Sequence, residues 1–309
     1  MAPGLGYKHG TRTHVGGAGM KTAIVSAADA GFFGYLTELL DSVDRCVQGE
    51  RPDICILDLG LTEEQCGLLR ARGVARIVDP GWMCEFPNRE RVPRHYQGML
   101  ARPYFPRLFP EYELFIHLDA DVWLQDWRGM ALLRQAGERE TIAVVPEIHR
   151  NYTTTYRMEE GVLRALRDHY RVYLDAESTE RMTMMPVINA GVWAMRRDVP
   201  HWDTWRRNLE GMLAKGIGPL TDQCALNLAV YRGEMPMYPL PAWCNWICPS
   251  AIPMFAVESR KFCEPGLPHE VISNLHLNDI KGKGVDVLCS DGQTRKMELT
   301  YRAAQELRA

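Results

Sequence analysis

Apolar runs of strand length alternate with amphipathic runs of helix length through the first half of the chain. Thr22–Ala27 reads as a buried strand, and apolar positions at helical spacing from Phe32 to Val43 predict a helix. Ile54–Leu57 reads as strand, Glu63–Arg72 as helix, Ala75–Val78 as strand and Leu114–Leu118 as a further strand. This alternation predicts an α/β fold with parallel strands and right-handed crossovers, whose ligands bind beyond the carboxyl ends of the strands. The second half is less regular. Val187–Met195 reads as a strand. Asp198 is expected to cap a helix with Pro200 in its first turn, a core stripe of Trp202, Trp205, Leu209 and Met212, and Gly216 at its end. Thr221 is expected to cap a second helix carrying Asp222 and Gln223 in its first turn, where an acid complements the helix dipole. Asp291-Gly292, between Val285–Cys289 and Lys296–Leu299, predicts a C-terminal hairpin.

One segment breaks the apolar pattern. Phe115-Ile116-His117-Leu118 runs into Asp119-Ala120-Asp121, after which Val122-Trp123-Leu124 resumes the apolar run. A carboxylate buried without a partner costs several kcal/mol, so the acids are expected where the strand leaves the sheet, against a positive charge. A hard divalent cation with oxygen ligands is the natural candidate. Residues i and i+2 of a strand share a face but lie roughly 6.6 Å apart. Both acids can reach one ion directly only if the backbone turns at Ala120; otherwise one acts through water or a ribose hydroxyl. A plain strand-end turn with Asp side chains on local amides is the bland reading. The first strand exits into Ala27-Ala28-Asp29-Ala30-Gly31, near the same edge, without the G-x-G-x-x-G of a dinucleotide site.

Composition narrows the classes. With 309 residues, 46% of them hydrophobic, the chain can bury a large core. A net charge of −3 argues against nucleic acid as a partner. No apolar run reaches the ~18 residues that span a membrane. Nine scattered cysteines without framework spacing, and no signal peptide, point to a reducing cytoplasmic location. Cys244 and Cys248 read as core thiols rather than zinc ligands. The glycine-rich residues 1–19 read as a disordered leader or cloning remnant, with Met20 as a natural start. Residues 20–309 show no repeat or long linker and read as a single domain, with the hairpin and a helix from about residue 284.

Taken in order, several short motifs resemble the nucleotide-sugar glycosyltransferases of the GT-A fold, most closely glycosyltransferase family 8. They are the Asp29 loop, Arg102, Leu118-Asp119-Ala120-Asp121, Asn189-Ala190-Gly191-Val192, Asp222-Gln223 and Leu275-His276, spread over Thr22 to Lys283. The resemblance implies a Rossmann-like nucleotide-binding half with a mixed sheet, fused to an acceptor-side half. It implies transfer of a hexose from a UDP-sugar to a hydroxyl acceptor, such as a saccharide or glycolipid, with retention of anomeric configuration. By the same resemblance Asp119, Asp121 and His276 would hold Mn2+ or Mg2+ on the donor diphosphate, the imidazole favouring Mn2+. Ala27, Ala28, Asp29, Arg102, Asp119 and Ala120 would line the nucleotide-sugar site. Asn189, Asp222 and Gln223 would surround the donor sugar, with Gln223 near the anomeric carbon.

The chain departs from the family at one place. The family pattern His-x-x-Gly-x-x-Lys-Pro-Trp is replaced by His276-Leu277-Asn278-Asp279-Ile280-Lys281-Gly282-Lys283, so diphosphate contact falls to Lys281 or Lys283. On the acceptor side, the polar segment from Pro146 to Gly161 resembles a mobile loop over a cleft, and Trp243 and Trp246 read either as a sugar-stacking pair or as core. Two other functions fit parts of the pattern. Leu118-Asp119-Ala120-Asp121-Val122 also matches the D-x-D-x-[TV] of haloacid-dehalogenase-type phosphatases, although long ordered sequence precedes it and the downstream acid pair is missing. The altered lysine segment also suits a sugar-nucleotide-binding protein without turnover.

Overall fold

The computed structural model describes residues 19–152, 160–218 and 220–308. The leader reading for residues 1–19 therefore falls almost wholly outside the described residues, as does the middle of the Pro146–Gly161 segment. The described residues form fourteen strands: β1 (Thr22–Ala28), β2 (Asp53–Asp58), β3 (Arg76–Val78), β4 (Leu114–Leu118), β5 (Val122–Leu124), β6 (Ile142–Pro146) and β7 (Ile188–Arg196) in the first part. They continue with β8 (Met237–Pro239), β9 (Trp246–Ile247), β10 (Met254–Ala256), β11 (Lys261–Cys263), β12 (Asn274–His276), β13 (Val285–Leu288) and β14 (Thr294–Met297).

Seven strands make the main sheet in the order β3-β2-β1-β4-β7-β6-β8. The first four run parallel, as the alternation predicted. β7 is antiparallel to both its neighbours, β4 and β6, which makes the sheet mixed. Period-two alternation sends successive side chains of each strand to opposite layers. Val25 and Phe115 enter one core with Tyr104, Phe105, Trp193 and Trp205, while Ile24, Ile116 and Leu118 enter the other. The second layer is closed by the helix Phe33–Cys46, whose buried Leu36, Leu39, Leu40 and Val43 follow helical spacing. The helix Glu63–Ala71 starts on a capping box, Thr62 with Gln65.

The two second-half helices form where expected but start differently. The helix His201–Leu213 has Pro200 at its cap position and no side-chain cap. Asp198 instead pairs with Arg196, because the guanidinium two residues away is a stronger partner than a helix N–H. The helix ends at Leu213, before Gly216. Thr221 is the first residue of the helix Thr221–Tyr231, not its cap, and its hydroxyl turns back to Gly218. The stripe of Trp202, Trp205, Leu209 and Met212 is core, as read. The C-terminal hairpin is present as β13 and β14, with a helix Tyr301–Arg308 after it.

Two features aim side chains at the carboxyl end of the parallel strands. A small sheet, β5-β12-β9, docks beside the main one. Its β5 follows Asp121 directly, and its β12 pairs His276 against Val122. The second is a bulge between β6 and β7. Val144 pairs with Trp193 and Pro146 with Ile188, so β7 spends five steps where β6 spends two. The excess residues of β7 fall between Ile188 and Trp193, out of register with β6 while Val192 stays paired with Leu118 of β4, a usual device for re-aiming side chains. None of the described helices is long and apolar enough to cross a membrane.

Trp205 joins core and site. It is fully buried, its ring lies 5.4 Å from that of Trp193, and its Nε1 donates to the Asp222 carbonyl at 3.0 Å. Trp205→Ala is expected to cost about 3–5 kcal/mol of stability, as large aromatic truncations in a core do. Chemical denaturation measures this, and a loss under ~1 kcal/mol would contradict the packing described.

Candidate active site

The acids sit at a turn. Val122 N donates to the Asp119 carbonyl at 3.0 Å, which turns the backbone at Ala120 and Asp121 and brings both carboxylates to one side. Of the two arrangements open from sequence, the structure adopts the bend. Asp121 is buried and Asp119 partly so. Each carboxylate is met by a cation of the chain itself.

Asp119 is held by Arg102, whose Nη2 lies 2.5 Å from Oδ1. The other amino group of Arg102 pairs with the buried Asp222. His117 shares the strand face of Asp119, and its Nε2 stands 3.0 Å from Asp119 Oδ1 and 3.1 Å from Arg102 Nε. Burial lowers the His117 ring below its usual range, so it is neutral. Nδ1–H then donates to the Val25 carbonyl and Nε2 accepts from Arg102. Burial alone would raise the Asp119 carboxyl, but the Arg102 charge outweighs it and holds the group far below the carboxylate range. Arg102 is thus a buried cation shared by two acids, and removing it would leave the buried Asp222 without its ion-pair partner.

Asp121 is satisfied on one oxygen only. Its Oδ2 accepts from Lys281 Nζ at 2.7 Å and from the Asn278 amide at 3.1 Å. Its Oδ1 lies 3.4 Å from His276 Nε2. Burial opposes the Asp121 charge, but His276 and then Lys281 outweigh it and lower the group. The same carboxylates raise the His276 ring against the effect of its burial.

Asp119, Asp121 and His276 each offer one ligand atom, and these atoms lie within 4.8 Å of one another. His276 Nε2 is buried without a hydrogen-bond partner. Two carboxylate oxygens and an imidazole nitrogen suit a divalent cation. Gly191 keeps the space between them open: a Cβ there would collide with Asp119 Oδ2 and would lie 2.6 Å from His276 Cε1. The donor set and the cradle both fit a metal.

The turn opens onto a cleft of about 930 Å3, counting space open to solvent. Of the residues expected to line a nucleotide site, Ala27, Ala28, Asp29, Arg102, Asp119, Ala120 and Lys281 all line it, together with Asp121. Lys283 is exposed and is not brought to the cleft lining. Phe32, Leu59, His95, Gly98, Met99, His117 and Asn278 line it as well and were not singled out from sequence. His117 alone left a signal, two residues before Asp119 on one strand face. Asp29 Oδ1 caps the amide of Phe32.

On the far side of the acids stand Asn189, Gln223 and Glu147. Asn189 Oδ1 accepts from Gly191 N at 2.9 Å, and Gln223 Oε1 accepts from Ala190 N at 3.1 Å. Asn189 Nδ2 reaches Glu147 Oε1 at 3.4 Å. Burial pushes the Glu147 carboxyl up to about 7, against the smaller opposing effects of Asn189 and His276. Trp246 is fully buried, with Tyr152 and His149 against it, so it is core and not a sugar platform. Tyr152 is core too, its hydroxyl accepting from Ile247 N, which pins this end of the polar segment. Trp243 is half-buried and carries the Arg128 guanidinium 5.0 Å above its ring.

No protein-family model matches the chain, and no curated protein matches it in sequence. Solved structures do share its fold. Two structures of the galactosyltransferase LgtC, an active-site mutant and a complex with donor and acceptor sugar analogues, align with TM-scores of 0.55 and 0.54 at 16% and 17% identity. They cover 93% and 92% of this chain and 95% and 94% of their own. The glycosyltransferase GlyE of Streptococcus pneumoniae aligns with a TM-score of 0.51 at 14% identity over 93% of this chain, which spans 60% of GlyE. The chain has the GT-A glycosyltransferase fold.

Two outcomes follow from this geometry. Gly191→Ala should cost about 1–3 kcal/mol through overpacking and remove divalent-cation binding, read by calorimetric titration; unchanged binding would mean the cradle is not the ion's place. Glu147 is protonated more readily when folded than at its ordinary value of 4.5. The native state therefore holds more protons between pH 4.5 and about 7, so this group lowers stability as pH rises through that window. Glu147→Gln should be the more stable protein above pH 7, by on the order of 1–2 kcal/mol after allowing for solvent at the cleft. The difference should vanish in acid; pH-dependent thermal unfolding decides it.

Proposed function

We propose that this chain is a metal-dependent glycosyltransferase that moves a hexose from a UDP-sugar to a hydroxyl acceptor, a saccharide or glycolipid, with retention. The observation that supports this most is the convergence of Asp119, Asp121 and His276, with both acids lining the strand-end cleft, in a fold shared with sugar transferases. Asp119, Asp121 and His276 would hold the ion, and Mn2+ suits the imidazole better than Mg2+. When bound, the ion supplies positive charge against the departing diphosphate.

The chain's own groups supply the rest. Asp29 and the backbone of Ala27 and Ala28 bind the nucleoside end of the cleft. Lys281 brings a second positive charge to the diphosphate, leaving Asp121 to do so. Arg102 stays fixed by Asp119 and Asp222, so its role is to hold both acids in place. Asn189 and Gln223, pinned by the amides they cap, present their amide NH2 groups toward the donor sugar. Gln223 is a weak nucleophile, which agrees with a same-face reaction in which the leaving diphosphate takes the acceptor proton. Nine cysteines without framework spacing accord with a cytoplasmic enzyme.

Thermal-shift titration with UDP, GDP, CMP and UDP-sugars, with and without Mn2+, tests the reading. Stabilisation by UDP or a UDP-sugar that requires Mn2+ is expected, since ligand binding raises apparent stability by mass action. Asp121→Asn should abolish it and His276→Ala should weaken metal binding about 10–100-fold. Retained Mn2+-dependent UDP affinity in Asp121→Asn would sink the assignment. UDP binding without turnover would identify a silent sugar-nucleotide-binding protein, and phosphoester hydrolysis without nucleotide binding would identify a phosphatase.

A further inference from the structure

A chain of buried amides runs from His276 back to the β7 bulge, and one backbone group fixes the direction of every link. Gly191 N–H can only donate, so the Asn189 atom that receives it, at 2.9 Å, is the amide oxygen. That oxygen also lies 3.2 Å from an amide atom of Asn245, which must then be the NH2. The other Asn245 atom is therefore its oxygen, and it lies 3.0 Å from His276 Nδ1. An oxygen at that place requires Nδ1 to carry the hydrogen. The assignment holds even though amide ends are otherwise easily exchanged in a structure. Asn245 is 1% exposed and His276 equally buried, so water has no access to substitute for either partner.

We propose that Asn245 is the positioning residue of the metal site: it holds the His276 ring in the Nδ1–H tautomer, so that Nε2 presents its lone pair between Asp119 and Asp121. The Nε2 atom without a hydrogen-bond partner is the other half of this arrangement. A ring free to rotate or to exchange tautomers would place N–H where a ligand lone pair is needed. The inference also couples two elements distant in sequence. The bulge at Asn189–Gly191 sets the Asn245 amide, and Asn245 sets the imidazole, so the donor-sugar side and the metal side are registered to each other. Asn245 touches no reacting atom and acts only through His276. The proposal rests on His276 being a metal ligand, as put forward above.

Two measurements test it. Long-range 1H–15N spectra of the metal-free protein, at a pH where the ring is neutral and with the signal assigned against His276→Ala, read the tautomer directly. Nδ1–H is expected in the wild type; Nε2–H there would overturn the proposal, whatever any variant does. Mn2+ dissociation constants from calorimetry or electron paramagnetic resonance then compare Asn245→Leu with Asn245→Asp. The leucine variant should lose about 10–100-fold in affinity, the usual cost of removing a partner behind a ligand. The aspartate variant, which still offers an oxygen to Nδ1–H, should recover most of it. Equal losses in both, or none in either, would overturn the proposal. A wild type that shows the Nδ1–H tautomer but binds no Mn2+ would sink the metal reading and with it the positioning role of Asn245, leaving only the tautomer assignment standing.

Discussion

Two carboxylates drawn into the end of a sheet require compensation on every side, and much of this molecule answers that requirement. The effective penalty for burying an ion is several kcal/mol. The chain meets it with Arg102 against Asp119, Lys281 and the Asn278 amide against Asp121, and His276 between the two acids. These partners come from two separate stretches of sequence, Arg102 ahead of β4 and residues 276–281 at the end of β12, and each stretch is held by its own secondary structure. A small sheet exists beside the large one to carry His276 to Val122. A bulge in β7 exists where Gly191 must pass close to both Asp119 and His276 without a side chain.

The two built-in cations differ in what they are able to do. Arg102 is buried and divided between two acids, and moving it would strand Asp222 in the core. Lys281 is 26% exposed and carries its charge on a long side chain beside Phe32, 5.4 Å from the ring centre. It can leave Asp121 for another anion in the cleft while Oδ2 keeps the Asn278 amide. One cation sets the geometry and the other is available to a ligand. The shifted lysine of the segment after His276 thus stands on the same acid that the ion would use, which gives the departure from the family pattern a physical consequence.

The amide groups around the site have a similar division. The oxygens of Asn189 and Gln223 are taken by backbone N–H groups of the bulge. Their NH2 ends are the groups not taken up by the bulge, and that of Asn189 reaches Glu147 at 3.4 Å. A Gln223 carbonyl bound to Ala190 N is a poor nucleophile for a second reason beyond its low basicity: its lone pairs already serve the fold. Glu147, beside Asn189, is a carboxyl that burial keeps protonated up to about pH 7, in a position the sequence pattern did not mark.

Sequence alone determined the elements and the chemistry. Apolar period gave β1 to β4 and the two helices between β1 and β3 to within one to three residues, because each is amphipathic against a local layer, but not the short helices Tyr96–Ala101 and Phe105–Leu108. The acid pair after an apolar run was legible as a place that needs positive charge against it, since no strand interior accepts it otherwise. What tertiary structure decided was which cap, which face and which partner. Asp198 and Thr221 looked like caps but found a nearby guanidinium and a backbone turn instead. Trp246 was open to either reading until the small sheet enclosed it. Lys281 and Lys283 were equivalent in sequence, and only the bend after His276 put one of them on Asp121. Asn245 carried no signal at all, because its role depends on Gly191 N, Asn189 and His276 meeting across three elements. Periodicity reports what a residue does for its own helix or strand; a hydrogen bond between elements is fixed only once they are packed.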